Sequence, residues 1–151
     1  MNGTLSDFLK SHESQKHATD AGTVMHKRLQ HVIIDGQGAQ GDAMLAKKIT
    51  AQPKIARFFA SGARTEVPIA GKIREKFISR RIDRMIISDT EIEFLDYKTD
   101  TDKSARRDLY AAQMAEYAAL LRAAFPGRAV RGYILWLSDW ELEKIVENSP
   151  D

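Results

Sequence analysis

An aspartate and a lysine, Asp96 and Lys98, stand two residues apart at the end of an apolar segment. Side chains alternate along an extended strand, so both are predicted to project from one face while Tyr97 between them turns to the other. On that face Asp96 could hold a divalent cation and Lys98 could lie beside an attacked phosphate. The spacing therefore indicates metal-assisted cleavage of a phosphodiester bond.

A second carboxylate, Asp83, lies thirteen residues before Asp96. The polar residues 88–90 between them predict a turn, and the segments on either side predict an antiparallel hairpin. Such a hairpin brings the two carboxylates onto neighbouring strands, where they can share one metal ion. The backbone carbonyl of Tyr97 could contribute a further oxygen ligand.

Apolar periodicity and turn residues predict the elements that must position these side chains. Helices are predicted over residues 21–34, 42–50, 54–59 and 105–125, and strands over residues 65–69, 91–98, 129–137 and 140–146, with a further long strand within 71–87. The nearly continuous apolar segment 129–137 is predicted to be covered on both faces, and the last strand to lie at an edge. The chain is therefore predicted to be an α/β protein with a central mixed β-sheet flanked by α-helices.

Two segments fall outside this framework. Residues 1–20 are polar and are expected to be either a short helix or a remnant of a preceding domain, which leaves residues 21–151 as the main domain. The segment 36–41 spells the dinucleotide-binding pattern G-x-G-x-x-G, but a helix rather than a strand is predicted before it, and that pattern requires a strand. We therefore expect a flexible loop at 36–41.

The charge of the chain is nearly balanced but unevenly placed. With 23 basic and 21 acidic residues the net charge is +2, which is too small by itself to establish a nucleic-acid partner. Six basic residues crowd one stretch: Lys72, Arg74, Lys76, Arg80, Arg81 and Arg84. They form either a solvated face or a track for phosphates, and their position beside the carboxylates favours the track.

The chain contains no cysteine. Disulfide scaffolds, thiol nucleophiles and thiolate-bound metals are therefore excluded, and an iron–sulfur cluster has no ligands. No apolar run approaches the roughly 20 residues of a membrane span, and the N-terminus lacks a signal-peptide pattern. A cytoplasmic protein that does not interact with membranes is predicted.

Five short motifs occur in a fixed order along the chain. They are Gly22-Thr23-Val24-Met25-His26, Glu66-Val67-Pro68-Ile69, Ile82-Asp83-Arg84, Asp96-Tyr97-Lys98-Thr99 and Gln113-Met114-Ala115-Glu116-Tyr117. This series, over roughly residues 20–145, resembles the RecB-type nuclease domain of the PD-(D/E)XK superfamily. More narrowly, it resembles the C-terminal nuclease domains of AddA-type helicase–nucleases. The resemblance implies a restriction-endonuclease-like fold.

The resemblance also implies roles for the chemical residues. Asp83, Asp96 and Lys98 would be catalytic, with Lys98 orienting the attacking water or helping to deprotonate it. His26 would join Asp83, Asp96 and the Tyr97 carbonyl as a ligand of Mg²⁺, for which Mn²⁺ is a substitute. For a lone histidine the alternative is a surface position on a helix.

Supporting positions follow from the same resemblance. Gln113 and Tyr117, four residues apart on one helix face, would support the site or contact the DNA backbone, although Tyr117 could equally pack against the sheet. Glu66 would serve as a salt-bridge or supporting partner rather than a metal ligand. Arg80 stands where the family often has glycine and could meet a phosphate, and Arg84 is a further candidate for contact with DNA.

The implied function is a Mg²⁺-dependent deoxyribonuclease acting on single-stranded DNA ends in double-strand-break repair and recombination. The P-loop pattern G-x-x-x-x-G-K-[ST] is absent from the sequence, so a motor would have to be supplied elsewhere. The expected partners are DNA, the helicase portion of the same polypeptide and an AddB-type subunit. Two alternatives remain open: a catalytically silent nuclease-like module that binds DNA or a protein, and a standalone nuclease of phage or defence origin.

Overall fold

The computed structural model describes residues 22–36 and 38–150, so the prediction for residues 1–20 lies outside the described part. Four helices are present there: α1 over 22–30, α2 over Ala43–Thr50, α3 over Pro53–Ala56 and α4 over Arg107–Ala124. A 3₁₀ turn, Arg57–Phe59, follows α3. The strands are β1 Ile33–Asp35, β2 Gly38–Gln40, β3 Arg64–Ile73, β4 Lys76–Ile87, β5 Glu91–Lys98, β6 Ala129–Trp136 and β7 Glu141–Asn148.

Five strands form the central sheet in the order β3-β4-β5-β6-β7. Every neighbouring pair is antiparallel except β5 and β6, which are parallel and are joined through α4. A parallel pair requires such a crossover, because the chain must return to the starting end of the sheet. The predicted α/β fold, a mixed sheet flanked by helices, is confirmed.

The sheet separates two hydrophobic cores. On one face α4 packs through Met114, Tyr117 and Leu121 against Phe94 and Ile134. On the other face the N-terminal helices cover Leu95, Tyr97 and Leu135 with Leu29 and Phe58 among others. Strands β5 and β6 are therefore buried on both faces, as their apolar sequences predict. Among the described residues no helix is long and apolar enough to cross a membrane.

The predicted helix over 21–34 and the predicted flexible loop over 36–41 are both wrong in part. Helix α1 ends at residue 30, and β1 pairs with β2 in a small antiparallel sheet. Two adjacent isoleucines in β1 favour an extended backbone over a helix. At the end of this hairpin Gly41 has a φ of 93° and lies against His31, where a Cβ atom would come within 2.7 Å of the carbonyl oxygen.

The β3–β4 hairpin was not predicted, because its turn lies inside the segment 71–87, in which the sequence predicts one strand. Its pairing runs from Arg64↔Met85 to Ile73↔Lys76 and closes through a two-residue turn, whereas β5 pairs only with the last residues of β4, from Arg84 onward. The hairpin therefore extends well past the point where β5 leaves it. We call this extension, residues 68–81, the β-arm.

The turn of the β-arm stores backbone strain. Arg74 and Glu75 have φ values of 50° and 66°, in the left-handed region that disfavours residues with a Cβ atom. We expect Glu75→Gly to stabilise the protein by about 1 kcal/mol in urea denaturation, because glycine adopts this conformation without strain. The control is Lys76→Gly, one residue later in the strand, which should destabilise it by roughly 0.5–1 kcal/mol. Equal effects of the two glycines would contradict the assignment of strain to the turn.

Candidate active site

The β4–β5 ladder ends at the pair Arg84↔Leu95. One step further the same register would pair Asp83 with Asp96, but no backbone pairing continues there. Instead a carboxylate oxygen of Asp83, Oδ2, accepts a hydrogen bond of 2.8 Å from the backbone N–H of Tyr97. A side chain thus replaces the missing ladder bond. We call this place, lined by Asp83, Asp96, Tyr97 and Lys98, the β4–β5 gap.

Helix α1 brings His26 to the gap. Its Nε2 lies 3.2 Å from Asp83 Oδ2, and its Nδ1 donates to the carbonyl of Gly22, one helical turn earlier, at 2.6 Å. A carbonyl only accepts, so Nδ1 carries a proton and Nε2 is the nitrogen directed at the carboxylate. The hydrogen bond to Asp83 raises the pKa of His26 to about 9, against the opposing effect of burial. His26 is therefore charged at neutral pH in the absence of a competing cation.

Asp96 and Lys98 project from the same face of β5, as the alternation predicts. The Lys98 ammonium lies 2.8 Å from Asp96 Oδ2 and donates to Gln113 Oε1 at 3.1 Å. It also lies 4.2 Å from the centroid of the Tyr110 ring, a cation–π contact. Three different contacts therefore fix the position of one ammonium group.

Asp96 is buried in an unfavourable environment for a carboxylate. It is 6% exposed, and burial followed by the nearby charge of Asp83 raises its pKa to about 7 despite Lys98. Although Lys98 lies close, the buried Oδ2 atom accepts no hydrogen bond of good geometry from any described residue. Buried polar atoms normally have such a partner, and their exceptions often mark a functional group or an unseen ion.

Helix α4 supplies the second layer of the site. Gln113 and Tyr117 share its sheet-facing side, with Gln113 on Lys98 and the Tyr117 ring packed edge-on against Phe94. Burial, and then the charges of Asp96 and Asp83, raise the pKa of Tyr117, which places its hydroxyl within the field of the gap. Both roles predicted for Tyr117, packing and support of the site, are compatible with this position.

Tyr110 was not predicted from the sequence as a site residue. It lies on α4 beneath the Lys98 ammonium, and its hydroxyl donates to Asp100 at 2.6 Å. Its spacing of three residues from Gln113 and seven from Tyr117 puts all three on one helix face. That spacing is the signal that could have identified it.

Glu66 lies on β3, opposite Asp83 on the neighbouring strand β4. The register on either side, Thr65↔Arg84 and Val67↔Ile82, points Glu66 at Asp83, but its φ of 51° interrupts regular pairing. Burial and the charge of Asp83 raise the pKa of Glu66, while its ion pair with Arg81 is loose at 3.8 Å. A cleft of about 430 Å³ joins Glu66 and Arg81 to His26, so Glu66 lines the approach to the gap.

The backbone of Tyr97 also faces the gap. Its N–H bonds to Asp83, and within a strand the N–H and C=O of one residue point to the same side. The carbonyl of Tyr97 is therefore directed between β4 and β5, where the sequence predicts an oxygen ligand. The phenol ring lies on the opposite face from Asp96 and makes an edge contact with His26.

The prediction that Arg84 contacts DNA is not supported, because its side chain is inaccessible. Arg84 is 1% exposed and donates to the carbonyls of Leu29, Gln30 and Val32 at the end of α1, at 2.7–3.2 Å. A further bond reaches the hydroxyl of Tyr97. Arg84 supports the site by tying α1 to the sheet, whereas the exposed Arg80 is accessible to a phosphate.

The side chains at the gap are of the types that bind a hard divalent cation, but they are not arranged as a complete coordination site. In the described part of the chain, no three His, Cys, Asp or Glu side chains are placed to hold a metal ion together. The positive groups of the protein take the place of a metal ion at both carboxylates. Asp83 contacts the His26 imidazolium and accepts from the backbone N–H of Tyr97, and Asp96 contacts the Lys98 ammonium. Two adjacent carboxylates, one of them with an unsatisfied oxygen, and the Tyr97 carbonyl are oxygen donors suited to Mg²⁺ or Mn²⁺, and the imidazole adds a nitrogen donor.

The raised pKa of Asp96 predicts a pH-dependent cost to stability. A carboxyl group whose pKa is higher in the folded than in the unfolded state destabilises the fold as pH rises from about 4 through 7. In EDTA at pH 8 we expect Asp96→Asn to be more stable than the wild type by on the order of 2 kcal/mol, with the difference vanishing near pH 4. Urea denaturation across this range tests it, with Asp89→Asn in the exposed β4–β5 turn as control. A less stable Asp96→Asn protein at pH 8 would refute the expectation.

The burial of Arg84 predicts a structural rather than a DNA-binding phenotype. Arg84→Met should lower the free energy of unfolding by roughly 3 kcal/mol, because it leaves several buried carbonyls without a donor. Arg81→Met, at a side chain that is 67% exposed, should change it by less than about 0.5 kcal/mol. Thermal unfolding of both variants decides between the roles, since similar small shifts would show that Arg84 does not anchor α1.

Comparisons with known proteins identify the fold and nothing more specific. No family model and no curated protein sequence matches the chain. The chain is similar to a solved structure, the crystal structure of SSO0001, with 19% identity and a TM-score of 0.50. The similarity covers 97% of this chain but only 60% of that chain. At this level of identity it supports the α/β architecture with a mixed sheet flanked by helices.

Proposed function

We propose that this chain is a Mg²⁺-dependent deoxyribonuclease that cuts single-stranded DNA ends. The observation that carries the proposal is the β4–β5 gap, where Asp83, Asp96 and Lys98 meet beside His26. There a buried Asp96 oxygen lies without a hydrogen bond of good geometry. Burying two carboxylates side by side costs stability unless cations compensate their charge, which favours a site that binds a cation.

Phosphodiester hydrolysis requires stabilisation of negative charge and a water molecule aligned with the leaving oxygen. A bound Mg²⁺ would neutralise phosphate oxygens and acidify water, with Asp83, Asp96, His26 and the Tyr97 carbonyl as its ligands. Lys98 contributes independently of the metal. Its ammonium, held by Gln113 and the Tyr110 ring, can donate to the attacking water or to a phosphate oxygen without searching for its position.

Binding of a cation would require His26 to lose the proton on Nε2. Because Nδ1 is committed to the Gly22 carbonyl, Nε2 is the nitrogen that becomes a ligand once its proton leaves. Its pKa of about 9 means that cation binding and proton release are linked, so binding tightens as pH rises. The Gly22 carbonyl orients the imidazole in both states.

The biological setting belongs to the same proposal. Its support is the ordered series of motifs that resembles RecB-type nuclease domains and, more narrowly, those of AddA-type enzymes. In that setting the domain works in the bacterial cytoplasm as the nuclease module of a helicase–nuclease, with an AddB-type partner, in double-strand-break repair. A standalone nuclease of phage or defence origin would use the same chemistry without these partners.

A second candidate is a nuclease-like module that binds DNA or a protein without cutting. The observation that favours it is the internal pairing of the ligands, since Lys98 occupies Asp96 and His26 occupies Asp83. If these pairs are permanent, no cation enters and the residues serve stability alone. The two candidates therefore differ in whether Mg²⁺ binds.

Cleavage of end-labelled 20-nucleotide single-stranded and duplex DNA, with Mg²⁺ or EDTA, tests the proposal. We expect Mg²⁺-dependent cutting that falls at least about 100-fold in Asp83→Asn, Asp96→Asn and Lys98→Gln, because each removes a charge acting on the transition state. Asp89→Asn, at the opposite end of the same hairpin, should cut like the wild type. Mg²⁺ should also raise the unfolding midpoint of the wild type and of Asp89→Asn but not that of Asp96→Asn.

The outcomes separate the candidates. Cutting together with a Mg²⁺-dependent midpoint that both depend on Asp96 supports the nuclease. DNA binding without a Mg²⁺ shift or cutting supports the silent module. Cutting that survives Asp96→Asn and Lys98→Gln would move the chemistry away from the gap and overturn the proposal.

A further inference from the structure

The β-arm has one covered face and one open face. Paired residues in an antiparallel hairpin share a face, and the pairs Gly71↔Ile78 and Ile69↔Arg80 lie on the side of α4. There Ile78 is buried and Gly71 fits against Leu120. The alternate pairs, Lys72↔Phe77, Ala70↔Ser79 and Pro68↔Arg81, form the other face, and all six side chains are exposed.

Phe77 is the conspicuous residue of this open face. It is 65% exposed and is the one aromatic among the large hydrophobic side chains left exposed in the described part of the chain. Its cross-strand neighbour is Lys72, so a flat apolar ring stands beside a cation. Exposing a phenylalanine ring to water is unfavourable, which favours a role in contact with another molecule.

The charge of the arm specifies the chemistry of that molecule. Residues 68–81 carry five cations and one carboxylate, Glu75, whereas the whole chain has a net charge of only +2. A polyanion with flat apolar groups along its length complements cations interleaved with an aromatic ring. Single-stranded DNA has this character, because its phosphates are regularly spaced and its unpaired bases can stack on a side chain. Bases within a duplex are already stacked and cannot do so.

The open face leads to the candidate active site. Arg81 lies on it and also lines the cleft that contains His26 and Glu66. Phe77 precedes Asp83 by six residues along β4, a distance of roughly 20 Å at the rise of an extended strand. A strand stacked at about 3.4 Å per nucleotide would cover that distance with about six nucleotides.

We propose that the open face of the β-arm binds single-stranded DNA on its way to the β4–β5 gap. Phe77 stacks on a base about six nucleotides from the scissile phosphate, Lys72 contacts the phosphate beside that base, and Arg81 contacts a phosphate nearer the gap. This inference rests on the proposed nuclease function and adds a substrate-holding surface to it.

Binding in EDTA tests the surface without requiring cleavage. Fluorescence anisotropy with a labelled dT20 strand should show roughly 5- to 100-fold weaker binding for Phe77→Ala, the effect of losing one stacked base. Phe77→Trp should bind as tightly as the wild type, and its added indole fluorescence should be quenched by dT20. Lys72→Gln should reduce the slope of log affinity against log salt by about 0.7, the value for one phosphate contact on a single strand.

The control for a lost surface hydrophobe is Met44→Ala, since Met44 is similarly exposed on α2. Its dT20 affinity should equal that of the wild type. The proposal is overturned if Phe77→Ala binds like the wild type, which would leave the arm as a site for a protein partner, or if the wild type does not bind dT20 at low salt. Because no cutting is measured, failure of the arm and failure of the nuclease give different results.

Discussion

The site depends on one hydrogen bond, which the backbone N–H of Tyr97 donates to the Asp83 carboxylate where the β4–β5 ladder ends. This bond replaces the backbone hydrogen bond that a continued ladder would form. Had the ladder continued, backbone groups would have satisfied one another and the strands would have closed over this position. The side-chain bond satisfies the amide while leaving the two strands apart. Because of that opening, the carbonyl of Tyr97 and the neighbouring carboxylates of Asp83 and Asp96 face a space between the strands instead of a closed ladder.

The opening also concentrates charge in a place where water is scarce. Asp83 and Asp96 are both buried, and their charge is offset by the Lys98 ammonium and the His26 imidazolium. Such internal compensation keeps the fold intact, but it leaves Asp96 with a raised pKa and an oxygen without a well-directed donor. Burial therefore makes the charged form of Asp96 unfavourable, so the packing of the core and the charge of the site make opposing demands on the same atoms.

The local sequence pattern predicts much of this arrangement, but it does not predict where the β4–β5 ladder ends or that Arg84 is buried. Alternation placed Asp96 and Lys98 on one face of β5, and the polar turn at 88–90 correctly predicted the hairpin, because both are short-range constraints. The end of the ladder could not be foreseen, since it depends on which backbone groups find distant partners. Arg84 looked like a surface cation because arginine is rarely buried, and only the docking of α1 supplies the carbonyls that make its burial favourable. The β1–β2 hairpin was not predicted because its strands of three residues are too short to show the alternation of apolar and polar residues typical of a strand.

The anchoring of α1 by Arg84 has a consequence for how the polar side chains at the gap are held together. His26 lies on a helix outside the sheet, and its contact with Asp83 requires that this helix be docked on β4, to which Arg84 ties the carbonyls at the helix end. A local opening that released α1 would therefore remove the imidazole and leave the two carboxylates and the lysine together on the hairpin. The imidazole is thus the one member of this group whose position depends on a helix–sheet contact rather than on a place within the sheet.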